Sequence, residues 1–381
     1  MNFDLTEEQT LLQENVRRFA QDEVAPGAVE RDETKEWPTD IMRKLGELGL
    51  MGVTIPEKWG GAGMDTVAYT VAVEEIARAD ASVSVAVTVN NSLVCGALNM
   101  FATDGQKEKY LRPLAKGEQL GAFSLSEPQA GSDASNLRCL ARREKDVYVI
   151  SGTKNWVSNG PHADLILLLA VTDPKKGYNG ISCFIFETSL PGFSVGKPED
   201  KLGIRAASTS EIYLDEVRVP PGNLMGNEED GFKIAMTVLD SGRIGIAAQA
   251  VGIAQAALDK ALEYAQEREQ FGKKIINFQA IQAHLADMAI EVEAARLLTR
   301  RAAYLKDQGK PITAAAAMAK VFASEVALRT ATQSVQIHGG YGYMRESGVE
   351  RLMRDAKITQ IYEGTSEIQR GVIARALQNK E

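Results

Sequence analysis

The sequence predicts an α+β protein in three parts: an N-terminal helical domain over residues 1–120, a central antiparallel β-barrel or sandwich over 121–230, and a C-terminal four-helix bundle over 231–381. Three changes of pattern predict it. Apolar residues recur at helical intervals up to about residue 120, short β-branched and aromatic runs follow, and long Ala-, Leu- and Met-rich stretches resume near 231. A chain of 381 residues exceeds one ordinary domain, and its 44% hydrophobic content supplies a substantial core.

In the first part, "LTEEQTLLQENVRRFAQDEVAP" opens at Thr6 with acids in its first turn, repeats apolar residues at Leu11, Leu12, Val16 and Phe19, and ends at Pro26. "TDIMRKLGELGLMG" and "TVAYTVAVEEIARAD" read as further helices around the Gly-rich loop "EKWGGAGMD". The run "ASVSVAVTVNNSLV" suits either a strand or a buried helix. In the second part, "DVYVISGTKNWVSNG", "LILLLAVT", "ISCFIFE" and "EIYLDEVRVP" are strands, separated by turns such as "DPKKGYNG". In the third, Pro311 stands at a helix start and glycines mark helix ends. Several of these helices are apolar on more than one face, which predicts packing in a bundle and against other subunits.

Composition excludes several functions. Lys and Arg total 43 against 51 Asp and Glu, a net charge of −8 with no basic run, so nucleic acid is not expected as a partner. No apolar stretch is expected to span a membrane, "LILLLAV" at 165–171 being far too short. Cys95, Cys139 and Cys183 are isolated, as are His162, His284 and His338, so no metal site is expected. The acidic, polar start "MNFDLTEEQT" lacks the marks of a signal or transit peptide, and a soluble cytoplasmic protein is expected.

Motifs taken singly are ambiguous. In "ITQIYEGTSEIQR", Ser366 and Gln369 have capping-box spacing, which starts a helix near Glu367 and leaves Glu363 to complement its positive end. Burial beside Ile361 and Tyr362 would instead raise the pKa of Glu363 and make it a base. "FSLSEPQAGSD" at 123–133 is either an interdomain connection or a turn whose N–H groups and hydroxyls receive a heterocycle or phosphate. Trp156 in "KNWVSNG" reads more readily as a core residue than as a platform for a flat cofactor. "QIHGGYGYM" at 336–344 lacks dinucleotide-fingerprint spacing and reads as a helix C-terminus. Arg243 in "LDSGRIG" reads as a surface arginine near a helix start, where a phosphate would also be welcome.

Together, "SLSEPQAGSD", "KNWVSNG", "REQFG", "QIHGGYGYMRESGVERLMRD" and "IYEGTSEIQR" resemble the acyl-CoA dehydrogenase family, in that family's order and over essentially the whole chain. The stretch 336–355 meets each position of the family's C-terminal signature, while Ser124 and Asn136 stand where other small residues are usual. The resemblance implies the same three-part fold, FAD held without a covalent bond, and a homotetramer built as a dimer of dimers. It implies that Phe123, Leu125, Ser126, Trp156, Val157 and Ser158 line the flavin, that Gln336, Gly339, Gly340, Thr365 and Glu367 hold the rest of FAD, and that Arg268, Phe271 and Gln279 reach the FAD of a neighbouring subunit. Ser132 would serve cofactor and acyl-CoA; Asp240, Arg243 and Gly364 would contact the acyl-CoA.

Family-wise, Glu363 falls on the catalytic base that takes the α-proton while a hydride passes from the β-carbon to flavin N5, giving a trans-2-enoyl-CoA. A ribityl hydroxyl and the N–H at Glu363 would stabilise the thioester oxygen. Relatives that place the base near "LDSGR" have a side chain where this sequence has Gly242. Relatives acting on dicarboxylyl substrates use an arginine where this chain offers Ser84, so such substrates are disfavoured. Thr359 and Gln249 match the short cavity of butyryl-CoA-type members, which implies a C4–C6 substrate, with short branched or cyclic acyl groups left open. The electron acceptor implied is an electron-transfer flavoprotein. An oxygen-using acyl-CoA oxidase and a non-catalytic acyl-CoA-binding scaffold are the competing readings.

Overall fold

The computed structural model describes residues 4–379. The N-terminal helices are α1 (Glu7–Phe19), α2 (Ala28–Thr34), α3 (Thr39–Glu47), α4 (Thr66–Ala79) and α5 (Ala81–Thr88), followed by the short α6 (Gly96–Phe101), α7 (Asp104–Gln106) and α8 (Arg112–Ala115). Thr6 starts α1 as expected: its hydroxyl accepts the Gln9 N–H, and the Gln9 side chain accepts the Thr6 N–H in return. The helical path does not end at Pro26. A π turn (Ala20–Val24) and a 3-10 turn (Ala25–Gly27) carry it into α2, with the proline early in the 3-10 turn, where its missing N–H leaves no bond unmade.

"ASVSVAVTVNNSLV" is helical, running from α5 through a π segment (Val89–Cys95) into α6. Asp80 caps it by accepting the Ser82 N–H at 2.9 Å. Ser84, Thr88 and Ser92 each donate to a carbonyl one turn back, so the buried hydroxyls are satisfied within the helix. By length and composition alone Ala81–Phe101 is apolar enough to cross a membrane, contrary to the expectation that no stretch is. Ninety-four per cent of that window is buried inside the fold, which makes it a core helix.

The central strands are β1 (Gly121–Ser124), β2 (Leu140–Glu144), β3 (Val147–Ser158), β4 (Leu165–Val171), β5 (Ile181–Glu187), β6 (Phe193–Pro198), β7 (Thr209–Val219) and β8 (Leu224–Met225). They form one sheet in the order β6-β7-β3-β2-β4-β5-β8, antiparallel except where β1 and the end of β2 meet β4 in parallel. β4 is buried on both faces, so its sequence is continuously apolar rather than alternating. Its residues 165, 167 and 169 join the helical core, while 166, 168 and 170 pack with Tyr148, Phe184 and Phe186 inside the sheet.

The C-terminal helices are α9 (Gly231–Glu267), α10 (Gln279–Asp307), α11 (Thr313–His338), α12 (Val349–Thr359) and α13 (Ser366–Asn379). Small residues bring them close: a Cβ at Gly252 of α9 would overlap the carbonyl of Glu74 on α4 and lie 2.7 Å from the Ala77 Cβ. Helix α12 is tied to both other regions. Asp355 accepts the Ile204 N–H at 2.5 Å, and Arg354 pairs with Asp32 at 2.6 Å and donates to the Leu202 carbonyl at 3.0 Å. The turn that follows α12 therefore starts from a fixed point, and it carries Glu363.

Candidate active site

The turn 360–365 joins α12 to α13, and two consecutive residues in it have positive φ: Glu363 at 51° and Gly364 at 90°. For glutamate this is a strained backbone that surrounding bonds must hold. Gln369 donates to the Glu363 carbonyl at 3.0 Å and the Gly364 carbonyl at 3.2 Å, and Lys320 of α11 donates to the Gly364 carbonyl at 2.7 Å. The cap of α13 differs by one position from the expected one. Thr365 is the capping residue, its hydroxyl accepting the Ile368 N–H at 3.3 Å, while Ser366 is already helical with its hydroxyl buried and unpartnered. Gln369 thus holds the preceding turn instead of completing a capping box, and the acid in the first turn of α13 is the exposed Glu367.

Glu363 is consequently free of the cap. Its Oε2 is buried and accepts no hydrogen bond from any described residue. It lies against α9: a Cβ at Gly242 would overlap it and sit 2.8 Å from Leu93 Cδ2. Burial pushes the Glu363 pKa up from 4.5 to about 7, against the downward pull of the Lys320 and Arg243 cations. No described residue accepts its backbone N–H either. The site therefore presents a carboxylate near neutral titration and a free N–H on the same residue.

Arg243 is neither at a helix start nor on the surface. It lies roughly three turns inside α9, buried, paired to Asp240, with its Nε unpartnered among the described residues. Asp240 also accepts from the Thr313 hydroxyl at 2.5 Å. Beyond Glu363, Gln249 donates to the Ala81 carbonyl at 3.0 Å and accepts from the Tyr362 hydroxyl, which burial and the nearby Glu363 charge keep protonated. Thr359 is fully buried and bonds back to Ala356 at 2.7 Å; Ser84 is spent on the Ala81 carbonyl at 2.8 Å. On α4, the buried Tyr69 hydroxyl has no partner among the described residues and lies 2.5 Å from a Cβ built at Gly245, one turn along α9 from Gly242.

The segments 123–126 and 154–158 are held together. The Asn155 N–H donates to the Ser126 carbonyl at 2.9 Å, and the fully buried Lys154 donates to the Leu125 carbonyl at 3.0 Å and pairs with Glu127 at 2.8 Å. Trp156 is not a core residue: it is 61% exposed at φ 59°. Val157 points into the sheet core, leaving only its backbone for a ligand, while Ser158 lies 3.5 Å from the Thr209 hydroxyl. Ser132 is exposed on the neighbouring turn.

Five of the remaining cofactor candidates line two clefts of this protomer. Thr365 and Glu367 line one of about 160 Å³. Arg268, Gly339 and Gly340 line another of about 480 Å³, where Arg268 lies 5.6 Å from the Tyr341 ring. The positive φ of Gly339 is paired with ψ −136°, so the end of α11 is not the left-handed cap expected. Gln336 and Gln279 are exposed, and Phe271 is 93% exposed at φ 53°. These residues fit FAD: open space lies over Gly339 and Gly340, and two aromatic side chains stand in water. Sequence reasoning missed Lys320, although a lysine amid "AAAAMAKVFASEVA" was a signal of burial, and it missed Tyr69 and the Tyr362–Gln249 bond.

Three family models match the chain: acyl-CoA dehydrogenase N-terminal domain over 6–118, middle domain over 122–217 and C-terminal domain over 229–378. A short-chain-specific acyl-CoA dehydrogenase of Clostridium acetobutylicum is 48% identical, over 98% of this chain and 99% of that one. Butyryl-CoA dehydrogenase from Megasphaera elsdenii superposes at a TM-score of 0.98 with 47% identity, over 99% and 100% of the two chains. A chain in a structure of the electron transferring flavoprotein of Acidaminococcus fermentans, from work on flavin-based electron bifurcation, reaches 0.98 and 48%, over 99% of each. Fold and matches define an FAD-dependent oxidoreductase of the helix, sheet and helix architecture. The chain belongs to the acyl-CoA dehydrogenase family.

Proposed function

We propose that this enzyme oxidises a straight-chain C4–C6 acyl-CoA to its trans-2-enoyl-CoA, with Glu363 as the base that takes the α-proton. One observation carries the reading: Oε2 of Glu363 is buried, without a donor among the described residues, against the side-chain-free face of α9 at Gly242. With its pKa raised to about 7 it is a far stronger base than a solvated carboxylate, yet still half ionised at neutral pH. General-base assistance of this kind is worth about 10²–10⁴-fold. The unused Glu363 N–H is suited to meet the thioester oxygen as charge gathers there, which supplies a further part. FAD, when bound, supplies the two-electron acceptor for the β-hydrogen; Phe123, Leu125, Ser126, Trp156 and Ser158 would hold its ring, and Gln336, Gly339, Gly340, Thr365 and Glu367 the rest.

The chain-length preference is supported by the fixed floor. A longer acyl chain must displace Gln249, which leaves the Tyr362 hydroxyl without its acceptor at about 1–3 kcal/mol for a buried group left unsatisfied, while the Ala81 carbonyl keeps its bond from Ser84. Ser84 is buried with its hydroxyl already engaged by the Ala81 carbonyl, so it offers a distal carboxylate no counter-charge. Exposed Phe271 and the division of cofactor residues between two clefts support a homotetramer in which Arg268, Phe271 and Gln279 complete the FAD site of a partner. Asp240, Arg243, Gly364 and Ser132 would contact the acyl-CoA. Electrons would pass to an electron-transfer flavoprotein in the cytoplasm.

The test is anaerobic bleaching of the bound flavin by straight, branched and cyclic acyl-CoA thioesters. The expected kcat/KM maximum lies at C4–C6 straight chains; a maximum well beyond C6 refutes the floor argument. Glu363→Gln is expected to bind FAD and ligand without reducing the flavin, and brisk reduction by that variant refutes the base. Stoichiometric hydrogen peroxide in turnover would replace the flavoprotein acceptor by oxygen.

A further inference from the structure

Lys320 sits in α11 within a run of small apolar residues, and its side chain is fully out of water. Burying an ammonium is expensive unless it is compensated, and no carboxylate among the described residues lies in ion-pair distance of it. Its one hydrogen bond runs to the Gly364 carbonyl at 2.7 Å. Burial lowers its pKa to about 8, while the charge of Glu363 works in the opposite direction. A group held at this disadvantage, with its single bond on the residue after Glu363, acts on the turn that aims the carboxylate.

We infer that Lys320 is a positioning residue for Glu363: it pins the Gly364 carbonyl so that the strained turn points the carboxylate at Gly242, and its charge behind the turn keeps that carboxylate ionised. The inference rests on Glu363 being the base. Gln369 shares the pinning, donating to the same carbonyl from α13, but it carries no charge. Arg243 on α9 is the other cation acting on Glu363, and its charge is already matched by Asp240. Tyr69 from α4 and Tyr362 from the turn itself are neutral phenols, raised by burial first and then by the Glu363 charge. Glu367 from α13 acts weakly on Lys320 and is exposed. Lys320 is thus the cation near Glu363 that no carboxylate neutralises.

The experiment is single-turnover flavin reduction by butyryl-CoA in the holoenzyme, followed from pH 5.5 to 9 as a range of about three and a half units around the neutral pKa of the base. In Lys320→Met the acid limb is expected to move up by about one pH unit, the scale of one nearby charge in a partly polar interior. The rate at pH 7 is expected to fall about fivefold or more, as the ionised fraction of the base drops from about one half to about one eleventh, with KM little changed. Lys320→Arg, which keeps the charge, is expected to retain the wild-type acid limb. Lys320→Gln, polar and neutral, carries the same test if the methionine variant loses FAD. An unmoved acid limb in the neutral variants, with FAD retained, overturns the inference and leaves Lys320 a packing residue. Rapid reduction by Glu363→Gln under the same conditions is a separate result, which removes the base and not the lysine.

Discussion

Replacing Glu363 by Gln removes one ionisation from a buried place, and the effect on stability follows from the sign of its pKa shift. The pKa rises from 4.5 to about 7 because burial disfavours the charged form. The stability contribution of the neutral acid is therefore fully present below pH 4.5 and is lost as pH rises through 7. A shift from 4.5 to about 7 corresponds to at most about 3 kcal/mol, at 1.36 kcal/mol per unit. Glutamine has nearly the same shape and does not titrate, so the packing difference between the two side chains cancels when pH values are compared. With an unfolding entropy of about 2.1 cal/mol/K per residue, a chain of 381 residues has about 0.8 kcal/mol/K, and 3 kcal/mol becomes about 4 °C. Thermal unfolding of both proteins, at one protein concentration and saturating FAD because both stabilise the native state, is the assay. The variant is expected to gain about 3 °C on the wild type between pH 5 and pH 8, because about 0.8 kcal/mol of the loss has already occurred at pH 5. Parallel Tm curves would mean that the carboxylate is hydrated in the fold, and the argument for a neutral-range base would go with them.

Gly242→Ala places a Cβ where Glu363 Oε2 lies, so flavin reduction is expected to fall by about two orders of magnitude or more with FAD content intact, a displacement effect read by single-turnover kinetics. Gln249→Ala opens the cavity floor, and the chain-length optimum in kcat/KM is expected to move toward longer acyl groups while butyryl-CoA loses efficiency. Lys154→Met leaves Glu127 buried without its cation; a loss of about 3–5 kcal/mol in denaturant unfolding is expected, together with weaker FAD retention, since the same lysine holds the Leu125 carbonyl.

Much of this architecture was legible because local rules agreed with the fold. The helix start at Thr6 and the strand read in "LILLLAVT" each follow from a local pattern, and the structure adopts both. Where the reading failed or stayed open, local letters were not enough. The β-branched run 81–94 suits a strand or a buried helix, and the helix prevails with Ser84, Thr88 and Ser92 bonded to carbonyls one turn back and Asn90 and Asn91 to the carbonyls of Met51 and Leu50. Trp156 was read as core because tryptophan is usually buried; a positive φ at a register irregularity between β3 and β7 turns it outward, and that angle has no signature in the surrounding letters. Arg243 was read as terminal because nothing in "GFKIAMTVLDSGR" marks that the helix has begun well before it.

Glu363 shows why local sequence could not decide its role. The residues near it in the chain describe a helix start, and a helix start does follow, capped by Thr365. The surroundings that the proposed base needs come from elsewhere: the side-chain-free face of α9 at Gly242 leaves room for Oε2, and Lys320 and Gln369 hold the carbonyls of residues 363 and 364. The proposed reaction requires one carboxylate at one point out of water, and two segments of the fold reach that point: the 360–365 turn and the face of α9 at Gly242. A side chain at both would collide, as the Cβ built on Gly242 does. The glycine on α9 and the strained glutamate on the turn are therefore one feature seen from two sides, and a substitution at either is a substitution in the base's position.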